Sequence, residues 1–150
     1  MCSKEHEQTL VIGIGNPLRC DDGVGPFIAS EIEKKNLPHV SVIVTPQLSV
    51  ELLEDVHRFS RVFLIDASYT GEGLMFRKIG TTSNDKITSS HHLAPELFLS
   101  LLRSIYHKAP NFFLCSVRGR DFEFKEGFSE DMLVLAHKAT EEICGLIRER

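Results

Sequence analysis

The 150-residue sequence lacks a strong excess of charge of either sign, since 17 lysines and arginines stand against 21 acidic residues, a formal net charge of −4. We therefore do not expect nucleic acid or an anionic membrane surface as its partner. It also lacks any apolar run of the roughly 18 residues that span a bilayer, and its first residues, MCSKEHEQ, are too polar for a signal peptide. These absences predict a cytoplasmic protein.

Paired cysteine motifs and internal repeats are missing as well. The cysteines at positions 2, 20, 115 and 144 form no CxxC pair, which argues against a zinc knuckle or a disulfide scaffold and predicts reduced thiols. No linker or low-complexity tract divides the chain, and 42% hydrophobic residues suffice for a sizeable core. The sequence thus predicts one domain over residues 1–150, which we expect to be a monomer.

Hydrophobic periodicity predicts strands that alternate with helices. The predicted strands are Thr9–Ile14, Val40–Thr45, Arg61–Asp66 and Asn111–Val117, with Gly73–Ile79 as an edge strand or hairpin arm. The predicted helices are Gly25–Lys35, Val50–Phe59, His92–Ile105 and Glu130–Arg148, and the longest loop is Gly80–Ser90. This order favours right-handed crossovers and a three-layer α/β/α sandwich around a twisted, mostly parallel (mixed) sheet.

Ligands of such sheets collect at the carboxyl ends of the strands, where this chain places acids and histidines. The first strand leads into GIGNPLRCDDGVG (residues 13–25), the third ends at Asp66, and His91 and His92 precede a helix. The GxG loop lacks the third glycine of a dinucleotide fingerprint, and carboxylates at Asp21 and Asp22 would repel a phosphate there. The loop therefore predicts a cation site with no nucleotide.

Each of these residues also has a purely structural interpretation. Asp21 or Asp22 could cap the following helix, Asp66 could form a turn, and a histidine is more often structural than functional. Two carboxylates and one imidazole, if they meet, form a ligand set with an open position that suits Zn²⁺ or Ni²⁺ better than Mg²⁺. No GxSxG elbow is present, and Cys20 beside two acids is expected to pack as a small apolar residue, so water is the expected attacking group.

GIGNPLRCDDGVGP resembles the N-terminal signature of the hydrogenase maturation endopeptidases, GxGNxLxxDDGxG. The resemblance continues through QLSVELLEDV, LIDAS, SSHHL and SVRGRDFEFKEGFSE, and so covers essentially the whole chain. It implies a phosphorylase/hydrolase-like fold and a peptidase, often classed as aspartic-type. This peptidase removes the C-terminal extension from the precursor of a nickel–iron hydrogenase large subunit after nickel insertion.

The resemblance also implies the site residues. Asp22, Asp66 and His91 would recognise the nickel that the precursor carries and would serve as the catalytic set, with His92 as the alternative histidine. The nickel could act as a Lewis acid, or it could only position the tail while Asp22, or secondly Asp21, activates water as a general base.

Other functions and surfaces remain open at this stage. A nickel-binding maturation chaperone that cuts nothing would use the same ligands, and a nucleotide-binding α/β module is a third hypothesis. Many members of the family carry Asp-Gly-Gly-Thr where this chain has TPQLSV (residues 45–50), a difference that bears on which hydrogenase is served. Among the residues that follow the last strand, Phe122 and Phe124 could form an exposed docking edge. Arg118, Arg120 and Lys125 could contact an acidic stretch of precursor, although a solvated charged face is the simpler interpretation.

Overall fold

The computed structural model describes residues 7–81 and 93–149, and it confirms the predicted three-layer α/β architecture. The strands are β1 (Thr9–Ile14), β2 (Val40–Thr45), β3 (Arg61–Ser68), β4 (Leu74–Ile79) and β5 (Asn111–Arg118). The helices are α1 (Val24–Lys34), α2 (Leu53–Val56), α3 (Pro95–Tyr106) and α4 (Met132–Arg148), with short 3-10 turns at Cys20–Gly23 and Val50–Leu52. The strand order is β2-β1-β3-β5-β4, parallel except for the antiparallel edge pair of β4 with β5.

Alternating residues of the central strands supply two separate cores, one on each face of the sheet. In β1, Val11 packs in the core with α1 and α4, whereas Leu10 and Ile12 pack in the core with α2 and α3. Because both faces are covered, the strand is apolar at almost every position, as expected for a buried parallel strand. Each fully buried branched side chain of this kind stabilises the fold by about 1.5 to 3 kcal/mol.

Helix boundaries differ from the predictions where local chemistry changes the backbone. The predicted helix Val50–Phe59 is a 3-10 turn followed by the single turn α2. The helix α3 begins at Pro95, because proline fits a first helical turn. The helix α4 begins at Met132, because Asp131 before it is left-handed, with φ 70°. Residues 82–92, which include most of the predicted loop Gly80–Ser90 and the start of the predicted helix at His92, lie outside the described residues.

The strand β3 is longer than predicted, and the difference changes the position of Asp66. Its ladder with β1 ends at the pair Ile65 and Gly13, but its ladder with β5 continues through Asp66 and Ser116 to Ser68 and Arg118. Asp66 therefore lies within the strand and does not terminate it. Because the ladder between β1 and β3 has already ended at this level, Asp66 has a paired strand on one side only.

The cysteine thiols within the described residues behave as expected. Cys20, Cys115 and Cys144 are free and buried, while Cys2 lies outside the described residues. Burial, and then the nearby charges of Asp21 and Asp121, raise the pKa of Cys20. Its thiol is therefore a packing group and a poor nucleophile, as the sequence indicated. Over residues 7–81 and 93–149, we find no helix with the length and apolar character needed to cross a membrane.

Candidate active site

The loop after β1 folds back on itself so closely that glycine is required at Gly15. Its φ is +148°, and a Cβ there would lie 1.8 Å from the carbonyl oxygen of Asp22. The turn is closed by the N–H of Asn16, which donates to Oδ2 of Asp22 at 2.8 Å. The loop thus holds the Asp22 carboxylate against the backbone of Asn16, two residues after the end of β1.

The beginning of α1 brings this loop onto the ends of the two central strands. A Cβ at Gly25 would lie 2.4 Å from the carbonyl oxygen of Ile14 in β1 and 2.5 Å from that of Ile65 in β3. Because Asp22 comes just before α1 and Asp66 comes just after Ile65, this close packing places the two carboxylates in the same region. Asp22 and Asp66 are 44 positions apart in the sequence.

The two carboxylates interact electrostatically. Burial raises the pKa of Asp66 to about 7, the negative charge of Asp22 contributes in the same direction, and a hydrogen bond from the Ala67 N–H opposes the rise. A carboxyl group with this pKa retains a proton for part of the time at neutral pH. The structure therefore brings together two of the predicted ligands, Asp22 and Asp66, as a carboxylate pair.

Asp21, the other acid of the loop, has a different environment. Its side chain is 0% exposed. Oδ2 accepts hydrogen bonds from the backbone N–H groups of Arg120 at 2.8 Å and Asp121 at 3.1 Å. Ser129 contacts both oxygens, because its N–H donates to Oδ1 at 2.8 Å and its hydroxyl donates to Oδ2 at 2.5 Å. Asp21 thus binds a segment about 100 residues away, residues 119–129, which we call the late loop.

These contacts correct two expectations for Asp21. It does not cap a helix, because neither the 3-10 turn nor α1 has a side-chain cap hydrogen bond. It is also a poor candidate for a general base: burial by itself would raise its pKa, but hydrogen bonds from Ser129 and from the backbone of Arg120 and Asp121 outweigh burial and lower it. Asp21 fastens the late loop to the loop that carries Asp22.

Main-chain contacts reinforce this attachment. The N–H of Cys20 donates to the carbonyl of Lys125 and the N–H of Asp21 to that of Asp121, both at 2.9 Å. The side chain of Lys125 forms a surface ion pair with Asp121, a kind of contact that contributes little stability. The late loop is therefore held mainly by buried hydrogen bonds, and Ser129 is the contributor that the sequence patterns did not indicate.

The histidine of the predicted ligand set is not part of this geometry. His91 and His92 lie outside the described residues, so His91 as a ligand and His92 as its alternative stay predictions. Within residues 7–81 and 93–149, no group of three histidine, cysteine or acidic side chains is arranged to hold a metal ion. The described part of the site therefore contains Asp22 and Asp66 of the predicted ligand set, and metal binding by this pair stays a prediction.

Comparisons with known proteins find hydrogenase maturation proteases, the family that the sequence motifs resemble. No protein-family model matches the chain. It is 29% identical over 150 residues to a putative hydrogenase maturation protease of Methanocaldococcus jannaschii, which covers 93% of this chain and 96% of that relative.

Solved structures show the same fold. The hydrogenase maturating endopeptidase HybD of E. coli superposes with a TM-score of 0.72 at 21% identity, over 95% of this chain and 93% of that one. The [NiFe] hydrogenase maturation protease HycI of Thermococcus kodakarensis gives 0.74 at 20% identity, over 97% and 96%. The fold is that of this class, and the predicted resemblance to hydrogenase maturation proteases is confirmed. The names of these relatives are those of peptidases.

Proposed function

We propose that this protein is an endopeptidase that removes the C-terminal extension from the precursor of a nickel–iron hydrogenase large subunit after nickel insertion. The observation that carries the proposal is the placement of Asp22 and Asp66 together at the carboxyl ends of β1 and β3. The similarity to named hydrogenase maturation proteases over nearly the whole chain supports the same function. Nickel as the metal is indicated by the family resemblance alone.

In this proposal Asp22, Asp66 and His91 recognise the nickel that the precursor carries. The charge of Asp22 and the burial of Asp66 disfavour two negative charges in one place, and a divalent cation removes that penalty. Two oxygen ligands and one nitrogen ligand hold a metal only moderately, so the ion is best regarded as part of the substrate. A precursor without nickel then has no anchor at this site.

Two routes for hydrolysis are consistent with this arrangement. In one, the substrate's nickel polarises the scissile carbonyl or lowers the pKa of a bound water. In the other, Asp22 takes a proton from a water molecule while the water oxygen attacks the scissile carbonyl carbon. The C–N bond then breaks, and the leaving amine takes up the proton. The second route assigns the base to Asp22, because Asp21 is buried and engaged by three residues of the late loop.

The test is to incubate the purified protein with nickel-loaded and nickel-free precursor and to measure the product by mass spectrometry. We expect cleavage of the loaded precursor only, and at least about a hundredfold slower cleavage by Asp22→Asn, Asp66→Asn and His91→Ala, as for other lost catalytic groups. Asp55→Asn, which alters an exposed carboxylate on α2, is the matched control and should cleave normally.

His92→Ala distinguishes the adjacent histidines, since the assigned ligand is the one whose loss stops processing. Precursor that binds but stays full-length after long incubation with wild-type protein would favour the nickel-binding chaperone. Normal processing by both Asp22→Asn and His91→Ala would reject the assigned residues.

A further inference from the structure

Exposed apolar side chains lie close in sequence to the two carboxylates and on the late loop. Leu18 lies four residues before Asp22 and is 58% exposed, and Tyr69 lies three residues after Asp66 and is 62% exposed. Phe124 projects from the late loop with 81% of its surface exposed. Single exposed apolar residues are ordinary, but a group of large ones around a candidate active site marks a binding surface. We call Leu18, Tyr69, Phe122 and Phe124 the apolar rim.

The rim is held in place by contacts with the site loops. Arg19 and Lys125 form a parallel β-bridge, which puts Leu18 and Phe124 at adjacent positions of the two loops. The guanidinium of Arg19 lies over the Phe124 ring, 5.3 Å from its centroid. This cation–π contact holds an exposed ring that would otherwise be free to rotate.

The other half of the rim is a stacked pair of aromatic rings, Tyr69 and Phe122. The rings of Tyr69 and Phe122 stack with their centroids 4.1 Å apart. A Cβ at Gly119 would lie 2.5 Å from the Phe122 ring and 3.0 Å from the Cβ of Asp21, so this ring packs beside the buried Asp21. The attachment of the late loop by Asp21 thus brings both phenylalanines to the site.

We propose that the apolar rim is the docking surface for the stretch of precursor polypeptide next to the scissile bond, which it binds through bulky apolar side chains. This inference rests on the proposed function. Leu18 and Tyr69 lie within four residues of Asp22 and Asp66 in the sequence, so in this proposal a polypeptide whose scissile bond reaches the two carboxylates contacts the rim. Coordination of one nickel ion by mixed oxygen and nitrogen ligands gives modest affinity, and a preorganised aromatic surface supplies the remaining binding energy and the direction of entry.

The test measures binding apart from cleavage, by surface plasmon resonance with purified nickel-loaded hydrogenase large-subunit precursor as the probe. We expect the double variant Leu18→Ala/Phe124→Ala to raise Kd by about tenfold or more, as for aromatic interface anchors. Phe124→Tyr keeps the ring and should stay within about twofold of wild type. Because Leu18 and Phe124 are exposed, circular dichroism should show an unchanged fold.

The matched control is Ile105→Ala, which removes a side chain of similar exposure, 53%, near the C-terminal end of α3. This helix runs antiparallel to the parallel strands, so Ile105 lies near the amino ends of those strands, away from Asp22 and Asp66. The Ile105→Ala variant should therefore bind precursor normally. In cleavage assays the rim variant should raise KM and leave kcat unchanged.

Three outcomes would overturn the docking proposal: equal Kd values for the rim variant and Ile105→Ala, no binding of precursor to the wild-type protein, or a stable dimer in solution that Phe124→Ala dissociates. Rim-dependent binding of precursor that is never cleaved would retain the docking surface and reject the endopeptidase. Cleavage of precursor with a Kd that the rim substitutions do not change would retain the endopeptidase and reject the docking surface.

Discussion

Asp21 and Asp66 are buried or largely buried carboxyl groups at the same edge of the sheet, yet their surroundings shift their pKa values in opposite directions. Burial by itself would raise both. At Asp21 the hydrogen bonds from Ser129 and the backbone of the late loop outweigh burial, and the pKa falls. At Asp66 burial and the charge of Asp22 outweigh one hydrogen bond from Ala67, and the pKa rises to about 7.

The difference separates two uses of aspartate, one in the loop after β1 and one in β3. A carboxylate whose oxygens accept several hydrogen bonds stabilises the structure and has no capacity left for a ligand. A carboxylate pair with few donors is costly for folding, and a cation relieves that cost. Asp66 therefore destabilises the fold at neutral pH, whereas the hydrogen-bonded Asp21 stabilises it.

Gly15→Ala should have the largest effect, because it disrupts the loop after β1 that carries Asp21 and Asp22. The new Cβ would lie 1.8 Å from the backbone oxygen of Asp22, at a φ of +148°, so the backbone itself must move. We expect a loss of about 4 kcal/mol or more in the free energy of unfolding, measured by urea denaturation. Gly145→Ala in α4, where nothing lies within 4 Å, should instead stabilise by about 0.5 to 1 kcal/mol. Equal stability of the two variants would contradict this description of the loop.

Asp66→Asn should stabilise the metal-free protein at neutral and higher pH. Because the folded-state pKa of Asp66 is raised from 3.8 to about 7, its contribution to the free energy of unfolding is most favourable below about pH 4 and falls as pH rises to about 7. A change of this size corresponds to about 2 to 4 kcal/mol. Denaturation at pH 4, 6 and 8 should therefore show that the free energy of unfolding of Asp66→Asn, relative to that of wild type, increases as pH rises. A constant difference across that range would show that Asp66 titrates normally.

Asp21→Asn should destabilise by about 2 to 3 kcal/mol, because an amide cannot accept the hydrogen bonds that both carboxylate oxygens now accept. Ser129→Ala, which removes only the hydroxyl donor, should cost about 1 to 2 kcal/mol. The pH dependence has the opposite sign to that of Asp66: the lowered pKa of Asp21 means that its stabilisation is present above about pH 4 and is lost on further acidification.

Hydrogen exchange gives a local readout of the same attachment. The amides of Arg120, Asp121 and Ser129 should lose protection in Asp21→Asn and keep it in Asp22→Asn, the adjacent control. Equal protection in both variants would mean that Asp21 does not fasten the late loop.

The sequence predicted the strands well because a strand buried on both faces has few sequence alternatives. The bounds of β1 and β2 match the prediction, and the edge strand β4 lies within Gly73–Ile79. The continuation of β3 past Asp66 was not predictable, because its final residues are stabilised only by pairing with β5, a partner far along the chain.

The two aspartates of the loop show the same limit at the candidate site. The position of Asp22 follows from local spacing, since the loop and the first turn of α1 leave it little freedom. The role of Asp21 depends on Ser129 and on two backbone amides of an irregular segment, which no periodicity marks. A helix cap was the reasonable local expectation, and a distant hydrogen-bond network replaced it.

The attachment of Asp21 to Ser129 also constrains the order of folding, because these partners are 108 positions apart. Contacts of such high sequence separation close late, after the entropy of the intervening chain has been reduced by more local structure. A nascent polypeptide emerging from the ribosome cannot complete the loop cluster until the residues just before α4 have been synthesised. The late loop can therefore be fastened by Asp21 only when nearly the whole chain is in place.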